Sequence, residues 1–383
     1  MRLSIPVAAG LEPLVKRQLL LLGYGKAPAE NGRITIDGTW EDVARLNVFL
    51  RSGERVLIVL ATFTATTFDE LYDGFYGIEW ERYLKADSKI LMDGKSYQSQ
   101  LAAVKAAGGV AKKAIIRRLA DKRVSGSKVF SETGARTIVD FSIFKDRVTV
   151  SIDTSGDGLH KRGYRSLAYT APLKETLAAG IVDLSLYHPD ADSEKPFADV
   201  FCGSGTLPIE AAMKALHIPP GINRDFDFVH WKDVPASALK KAKEEGMDGI
   251  KRNLKTNIFA SDINKDAISI AKYHAKRAGV AENIRFAVSD MSKFESRLPY
   301  GVLISNPPYG ERLLDEREVE PLYRAFGKMF ARLPDWSAYV LTSVQSFERF
   351  FLKKADRKKR FFNANIECTL FTCFGKKPEK EEE

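Results

Sequence analysis

Cysteine is scarce in this chain: Cys202, Cys368 and Cys373 are the only three in 383 residues. An odd, sparse set makes no disulfide framework, which excludes a small stapled secreted fold and predicts a reducing compartment. Histidine is nearly as rare. His160, His188, His217, His230 and His274 stand at no zinc-ligand spacing with one another or with a cysteine, so no metal site is expected. No apolar run is long enough to span a bilayer, and the amino-terminal segment lacks the charge–apolar–cleavage order of a secretory signal. The expectation is a cytoplasmic protein without a membrane partner. Internal repeats are missing, and the only biased segment is the charged tail at 376–383.

Acidic residues are in deficit, 50 against 59 basic ones, giving a formal net charge of +9 and a pI of about 9.2. Such a balance suits a polyanionic partner, because Lys and Arg beside phosphates release condensed counterions. It equally suits a soluble basic surface. At roughly 100–200 residues per domain, the length predicts two or three domains.

What is present is an alternation of short strands and helices. Residues 3–7, 32–37 and 55–63 read as strands, and 11–22 and 40–50 as amphipathic helices, which suggests a small α+β unit. A second unit follows, with a helix at 69–76, a strand at 88–93 and a long helix at 98–122 interrupted near Gly108-Gly109. A hairpin joins 137–144 to 147–153 around Lys145-Asp146. The long helix carries Lys105, Lys112, Lys113, Arg117, Arg118, Lys122 and Arg123, several at i, i+4 spacing. They form either a phosphate-tracking face or a solvated helix exterior. Residues 154–169 look like a linker. Its run His160-Lys161-Arg162-Gly163-Tyr164-Arg165 suits a nucleic-acid contact or a surface hinge.

From about residue 172 the strands become continuous apolar runs: 197–201, 258–262, 284–288, 301–305 and 338–342. Helix-length segments lie between most of them, at 207–216, 265–277 and 321–333. This pattern predicts an α/β, Rossmann-like domain whose parallel sheet is covered on both faces, with ligands beyond the carboxyl ends of the strands.

Three strand-end segments carry chemistry. The first, Asp199-Val-Phe-Cys-Gly-Ser-Gly-Thr206, runs from a strand through glycines into a helix, where backbone N–H groups can approach a ligand. Alone it is shared with nicotinamide and flavin enzymes. The second, Ala260-Ser-Asp-Ile-Asn264, places Asp262 at a strand end to accept both ribose hydroxyls of a nucleoside cofactor. Asp262 or Asn264 also suits an N-cap. Asp290 ends the next strand, as a ligand of an adenine amino group or as a turn residue. The third, Ser305-Asn306-Pro307-Pro308-Tyr309-Gly310, has no evident use in hydride transfer. An exocyclic amine on a base is a poor nucleophile, because its lone pair is delocalised into the ring. Asn306 Oδ1 and the Pro307 carbonyl can accept its two protons and favour rehybridisation as a methyl group arrives. Two prolines stiffen the turn, and Tyr309 can stack on a flipped or loop-presented base.

Together with Ala171-Pro-Leu-Lys-Glu-Thr176, the 160–165 run and Asn306-Pro-Pro-Tyr-Gly-Glu-Arg-Leu313, these segments resemble bacterial THUMP-domain rRNA methyltransferases of the RlmL type, within the class I amino-methylating enzymes. Residues 218–231, with Pro219-Pro220-Gly221 and Phe228-x-x-Trp231, look family-like as well. The resemblance implies a ferredoxin-like domain at 1–66, a THUMP RNA-binding domain at 67–155, a linker at 156–171, a methyltransferase domain at 172–376 and a tail at 377–383. It implies S-adenosylmethionine as cofactor, held by Thr170, Leu173, Lys174, Asp199, Phe201, Cys202, Gly203, Ser204, Gly205, Asp262, Ile263, Asn264, Asp290, Met291 and Asn306. Asn306, Pro307, Pro308 and Tyr309 would hold the target base. The implied reaction is methylation of a guanine 2-amino group in large-subunit rRNA or its precursor. Some family members carry a second methyltransferase domain; with one, a single methylated site is expected. Three alternatives stand beside this: a tRNA guanine methyltransferase, a nucleic-acid adenine methyltransferase, and a non-catalytic RNA-binding assembly factor.

Overall fold

A computed structural model describes residues 1–30, 32–122, 131–167, 173–190, 194–309, 316–363 and 365–377. The chain forms two compact units. The first comprises Met1–Val7, Leu19–Leu159 and Arg224–Glu245; the second comprises Ala8–Gln18, His160–Asn223 and Gly246–Glu383.

Strands β1 (Arg2–Pro6), β2 (Ala29–Glu30), β3 (Arg33–Asp37), β4 (Leu57–Thr64), β5 (Lys89–Tyr97), β6 (Arg136–Phe144) and β7 (Arg147–Asp153) build the first unit's sheet, in the order β2-β3-β1-β4-β7-β6-β5. Helices α1 (Glu12–Leu21), α2 (Trp40–Phe49), α3 (Phe68–Tyr76) and α4 (Val104–Asp121) alternate with them along the chain. Both α2 and α3 open on a capping box, Thr39 with Asp42 and Thr67 with Glu70, which satisfies backbone donors at the helix starts. The expected hairpin is present. Lys145 and Asp146 take φ of 50° and 61°, the left-handed pair of a tight turn between twisted strands. The antiparallel pairing of β4 with β7, from Leu57 opposite Asp153 to Thr64 opposite Arg147, joins the two amino-terminal regions in one sheet.

Helix α4 differs from expectation in running unbroken through Gly108-Gly109. Gly108 faces the sheet, where an added Cβ would lie 3.5 Å from Met92 Cβ and 3.8 Å from the Phe141 ring. The glycine lets the helix lie close on the strands, so packing outweighs its low helix propensity. The basic helix face is partly committed: Arg118 pairs with Glu81 at 2.7 Å, Lys112 with Glu132 at 2.5 Å and Arg117 with Asp121 at 3.0 Å. Lys105, Lys113 and Lys122 are exposed, and Arg123 lies outside the described residues.

Residues 224–245 belong to this first unit. Trp40 stacks on Phe228 and meets Trp231 edge-on, at 6.4 and 6.3 Å between centroids. Arg136 donates to Asp227 at 2.8 Å. That accounts locally for Phe228-x-x-Trp231.

In the second unit, β8 (Phe197–Asp199), β9 (Ile258–Asp262), β10 (Ile284–Val288), β11 (Val302–Ser305), β12 (Ser337–Thr342), β13 (Arg357–Asn363) and β14 (Ile366–Cys373) form a sheet in the order β10-β9-β8-β11-β12-β14-β13. The strands β8 to β12 are parallel, as the apolar runs predict. The last pair corrects an all-parallel reading: β14 is antiparallel to both β12 and β13. Helices α5 (Glu175–Leu184), α6 (Thr206–Ala215), α8 (Lys265–Arg277), α9 (Glu316–Phe330) and α10 (Phe347–Phe351) belong to this unit, and α7 (Ser237–Asp248) lies between α6 and β9 in the chain. Tyr323, Phe326, Phe330 and Trp336 pack with Phe347, Phe351 and Phe371 in one aromatic-rich core. The strand order reverses at β8, which has β9 on one side and β11 on the other. Such a switch point opens a crevice beyond the strand ends.

Three of the six residues of the 160–165 run turn inward, while Lys161 and Gly163 are exposed. Arg162 and Tyr164 are buried and both donate to the buried carboxylate of Glu210 on α6, at 3.3 Å each. Arg165 donates to Leu173 O at 3.0 Å and Thr206 Oγ1 at 2.5 Å, and lies 3.5 Å from Glu175. The run fastens the front of α6 from inside. The charges of Arg162 and Arg165 are spent on buried carboxylates, and pattern alone cannot distinguish that from a basic surface.

Candidate active site

A cavity of about 370 Å³ lies beyond the carboxyl ends of β8, β9, β10 and β11. Leu173, Asp199, Phe201, Cys202, Gly203, Ser204, Asp262, Ile263, Asp290, Met291 and Asn306 through Tyr309 all line it. Three strand-end segments, distant in sequence, thus share one wall because parallel strands deliver their carboxyl ends to the same edge. Among the other expected residues, Thr170 lies outside the described residues, as do Gly310 to Leu313, and Lys174, Gly205 and Asn264 do not line the cavity.

Gly205 shapes the turn. Its φ is +87°, and an added Cβ would lie 3.0 Å from Ala271 Cβ, so the loop needs glycine for conformation and for packing against α8. Gly203, at φ +50°, donates its N–H to Asp262 Oδ2 at 2.9 Å. Asp262 Oδ1 accepts from Asn264 N at 2.9 Å. A carboxylate oxygen has two acceptor sites, so both oxygens retain capacity for vicinal hydroxyls. Asn264 caps α8, accepting from the amides of Asp266 and Ala267, which explains its absence from the cavity wall. Asp290 makes the expected turn bonds, accepting from Ser292 N and Oγ at 2.8 and 2.6 Å, and it also lines the cavity. The Ser292 hydroxyl and amide bonds hold its carboxyl below the usual range. Ile263 lines the rim while 72% exposed, a flat apolar surface beside the acidic strand ends. Glycine turn, paired acceptor and apolar rim fit a nucleoside-bearing cofactor.

Asp199 is buried, and its Oδ1 accepts from Phe201 N at 3.1 Å and Ser305 Oγ at 2.8 Å. Burial pushes its carboxyl up to about 7, against those two hydrogen bonds and with the Asp262 charge adding to the rise. Ser305 also accepts from Val200 N at 3.3 Å, which ties the glycine-turn strand to the strand bearing Asn306. Burial, then the charges of Asp199 and Asp262, push the Cys202 thiol well up, so it stays protonated and offers no thiolate nucleophile.

Asn306 Oδ1 is buried, and no described residue donates to it. A buried acceptor without a partner is costly and calls for a ligand donor. The following residues are held firmly. Tyr323 of α9 donates to Pro308 O at 3.2 Å and pairs with Thr342 Oγ1 at 2.8 Å. Tyr309 OH accepts from Asn363 Nδ2 at 3.1 Å and Cys368 Sγ at 3.4 Å. Burial, with the Cys368 contact, raises the Tyr309 phenol, so it remains neutral.

Sequence reading missed Leu322, Asn363 and Ile366, which also line the cavity. Asn363 and Ile366 lie at the turn end of the β13–β14 hairpin. The Asn363-Ala364-Asn365 run between two strand-like segments was a readable turn signal.

Comparison with known proteins bears on this geometry. Residues 162–372 match the family model described as the RMKL-like methyltransferase domain, residues 2–57 the RlmL ferredoxin-like domain and residues 65–153 the THUMP domain. The chain is 38% identical to "Putative RNA methyltransferase YpsC" of Bacillus subtilis (strain 168), over 96% of this chain and 94% of that one. It is 34% identical to the ribosomal RNA large subunit methyltransferase K/L of Psychromonas ingrahamii, covering 96% of itself but spanning only 49% of that longer protein. Among solved structures, SMU.472, described as "a putative methyltransferase complexed with SAH", superposes with a TM-score of 0.91 at 37% identity, covering 99% of both chains. A Listeria monocytogenes protein described as "a predicted N6-adenine-specific DNA methylase" superposes at 0.90 with 42% identity, over 98% of this chain and 96% of that one.

Proposed function

The chain belongs to the RMKL-like methyltransferase family, and we propose that it methylates the 2-amino group of a guanine in large-subunit rRNA, with S-adenosylmethionine as methyl donor. The observation that carries this reading is the unpartnered, buried Asn306 Oδ1 on the wall of the cavity shared with Asp199, Gly203 and Asp262. A planar amine supplies the donor that this oxygen lacks.

When bound, S-adenosylmethionine supplies an electrophilic methyl group on a sulfonium. The chain's residues do the rest by binding and orientation. Asp262 would accept the ribose hydroxyls, Asp290 the adenine amino group, and the amides of the glycine turn would hold the donor's amino-acid end. Leu173, Ile263 and Met291 would give the adenine its apolar contacts. Asn306 Oδ1 and the Pro307 carbonyl accept the two amine protons, drawing the nitrogen lone pair out of conjugation and aiming it at the methyl group. Tyr309, fixed at its hydroxyl, offers a ring on which the base stacks. Catalysis is positional and electrostatic, without a covalent intermediate. As the nitrogen–carbon bond forms, the carbon–sulfur bond would break and the donor would leave as a neutral thioether, while the extra proton on the alkylated nitrogen passes to solvent.

A THUMP match over 65–153 and an rRNA-methyltransferase relative favour RNA, whereas the name of the Listeria neighbour favours adenine in DNA. Labelled donor with unmodified large-subunit rRNA, followed by digestion to nucleosides and mass spectrometry, separates these. Labelled 2-methylguanosine is the expected product. Labelled methyladenosine would overturn the guanine assignment, and labelling of DNA alone would overturn the RNA one.

A further inference from the structure

We propose that the outer face of β13 is a docking strip for the single-stranded RNA that flanks the target base, with Phe362 stacking a neighbouring base and Arg360 and Lys358 meeting its phosphates. This rests on the RNA reading above.

Strand β13 is an edge of its sheet and, among the described residues, pairs only with β14. It runs toward the cavity and ends at Asn363, which lines the cavity and donates to Tyr309 OH. Six cations, Lys353, Lys354, Arg357, Lys358, Lys359 and Arg360, lie within eight positions. Alternation puts Phe362, Arg360 and Lys358 on one face, and buried Phe361 on the other. Along that face the side chains recur about every 6.8 Å, similar to the spacing of nucleotides in an extended strand.

An edge strand rich in Lys and Arg is often only a guard against edge-to-edge aggregation. Two observations argue for more. Phe362 is 56% exposed, and a bare aromatic ring at an edge defeats a guard. Its cross-strand neighbour is Glu367, and no described aromatic ring stacks on it. Arg360 is also available: its side chain is 82% exposed, and its pairing with Glu367 is long at 3.7 Å. Lys358 is held at 2.5 Å from Glu348, which fixes one end of the strip while leaving further donors on its ammonium group. An exposed ring beside a row of cations is the combination that tracks single-stranded nucleic acid.

The test uses the full-length protein with Phe362→Ala and Arg360→Ala. Steady-state methylation of the rRNA transcript is followed across a range of salt, and photocrosslinking to RNA carrying 5-iodouridine near the target is mapped by mass spectrometry. Phe362→Ala should raise KM for RNA at least about 5-fold, from loss of one stacked base, with no change in salt dependence. Arg360→Ala should also raise KM and reduce the slope of log affinity against log salt by about 0.7. Crosslinks in the wild type should fall on the β13 peptide, and affinity for S-adenosylmethionine should not change. Wild-type methylation with unaltered KM and salt slope in both variants would overturn the proposal. So would variants that merely aggregate at unchanged KM, which would leave edge protection as the role. Crosslinks on β13 without any methylated guanine would sustain the docking strip and sink the guanine reading.

Discussion

Asn306 presents one buried oxygen that no described side chain or backbone group satisfies, next to prolines that fix its backbone. Removing that oxygen should damage the reaction rather than the fold. Asn306→Ala is expected to lower kcat on the order of 10²-fold, the scale seen when one preorganised polar group is lost from a reacting centre. Calorimetric affinity for S-adenosylmethionine should be retained; full turnover in the variant would refute the amine-binding role. Asp199 behaves differently, because it titrates. Its carboxyl sits at about 7 through burial, so it is mostly protonated at pH 6 and ionised at pH 8. A cationic donor is drawn to the ionised form. Affinity should therefore rise with pH, by about 10-fold over those two units if binding requires the carboxylate, and Asp199→Asn should flatten the profile. Calorimetry across pH measures both, and a profile that falls with pH would contradict the assignment. At this scale the sequence was informative: Asp199, Gly203, Asp262, Asp290 and Asn306 all lie in segments whose strand–turn spacing is local. The buried state of Asp199 was not legible, because it depends on Ser305 and Val200 meeting across two strands.

Among the elements, α9 holds the turn at 306–309 from behind. Tyr323 reaches Pro308 O and Thr342 Oγ1 from a site that is itself buried. Tyr323→Phe leaves Pro308 O and the Thr342 hydroxyl without that partner and should cost about 1–3 kcal/mol of stability. A looser turn should also lower kcat in the folded protein at unchanged donor affinity; a lower melting temperature with normal kcat would limit Tyr323 to structure. Helix α6 depends on the run at 160–165. Glu210→Ala would remove the carboxylate paired with the buried Arg162 and an acceptor of Tyr164, a loss of about 3 kcal/mol by analogy with broken buried pairs. Differential scanning calorimetry should show the transition that contains α6 moving down, and an unmoved transition would refute the account. The parallel strands and helices α6 and α8 were readable from periodicity to within a few residues, whereas α5, α7 and α10 were not read. The hairpin β13–β14 was not read: its turn signal at 363–365 was available, but the strand from Arg357 to Asn363 opens on four consecutive cations followed by two phenylalanines and matches no simple half-buried alternation.

At the scale of the whole molecule, stability rests on two sheets and their cores without covalent cross-links. All three cysteines are free and buried, and burial raises the thiols of Cys202, Cys368 and Cys373, the last to about 11. The melting profile should be the same with and without reductant, and an aromatic disulfide reagent should titrate three thiols in denaturant but react slowly in the native protein. Rapid native labelling would refute the burial.

The five parallel strands, the positions of the three cavity-lining segments and the class of chemistry follow from the sequence by itself, since periodicity, turn residues and strand-end spacing act over a few residues. Only the tertiary structure decided that β4 pairs with β7 across two amino-terminal regions, that residues 224–245 pack with Trp40, that Arg162 and Tyr164 turn inward to Glu210, and that Asn363 reaches Tyr309. Each of those joins residues at least 46 positions apart, so no local pattern can encode the pairing. A basic or aromatic residue looks the same in sequence whether it faces water, a carboxylate or a substrate.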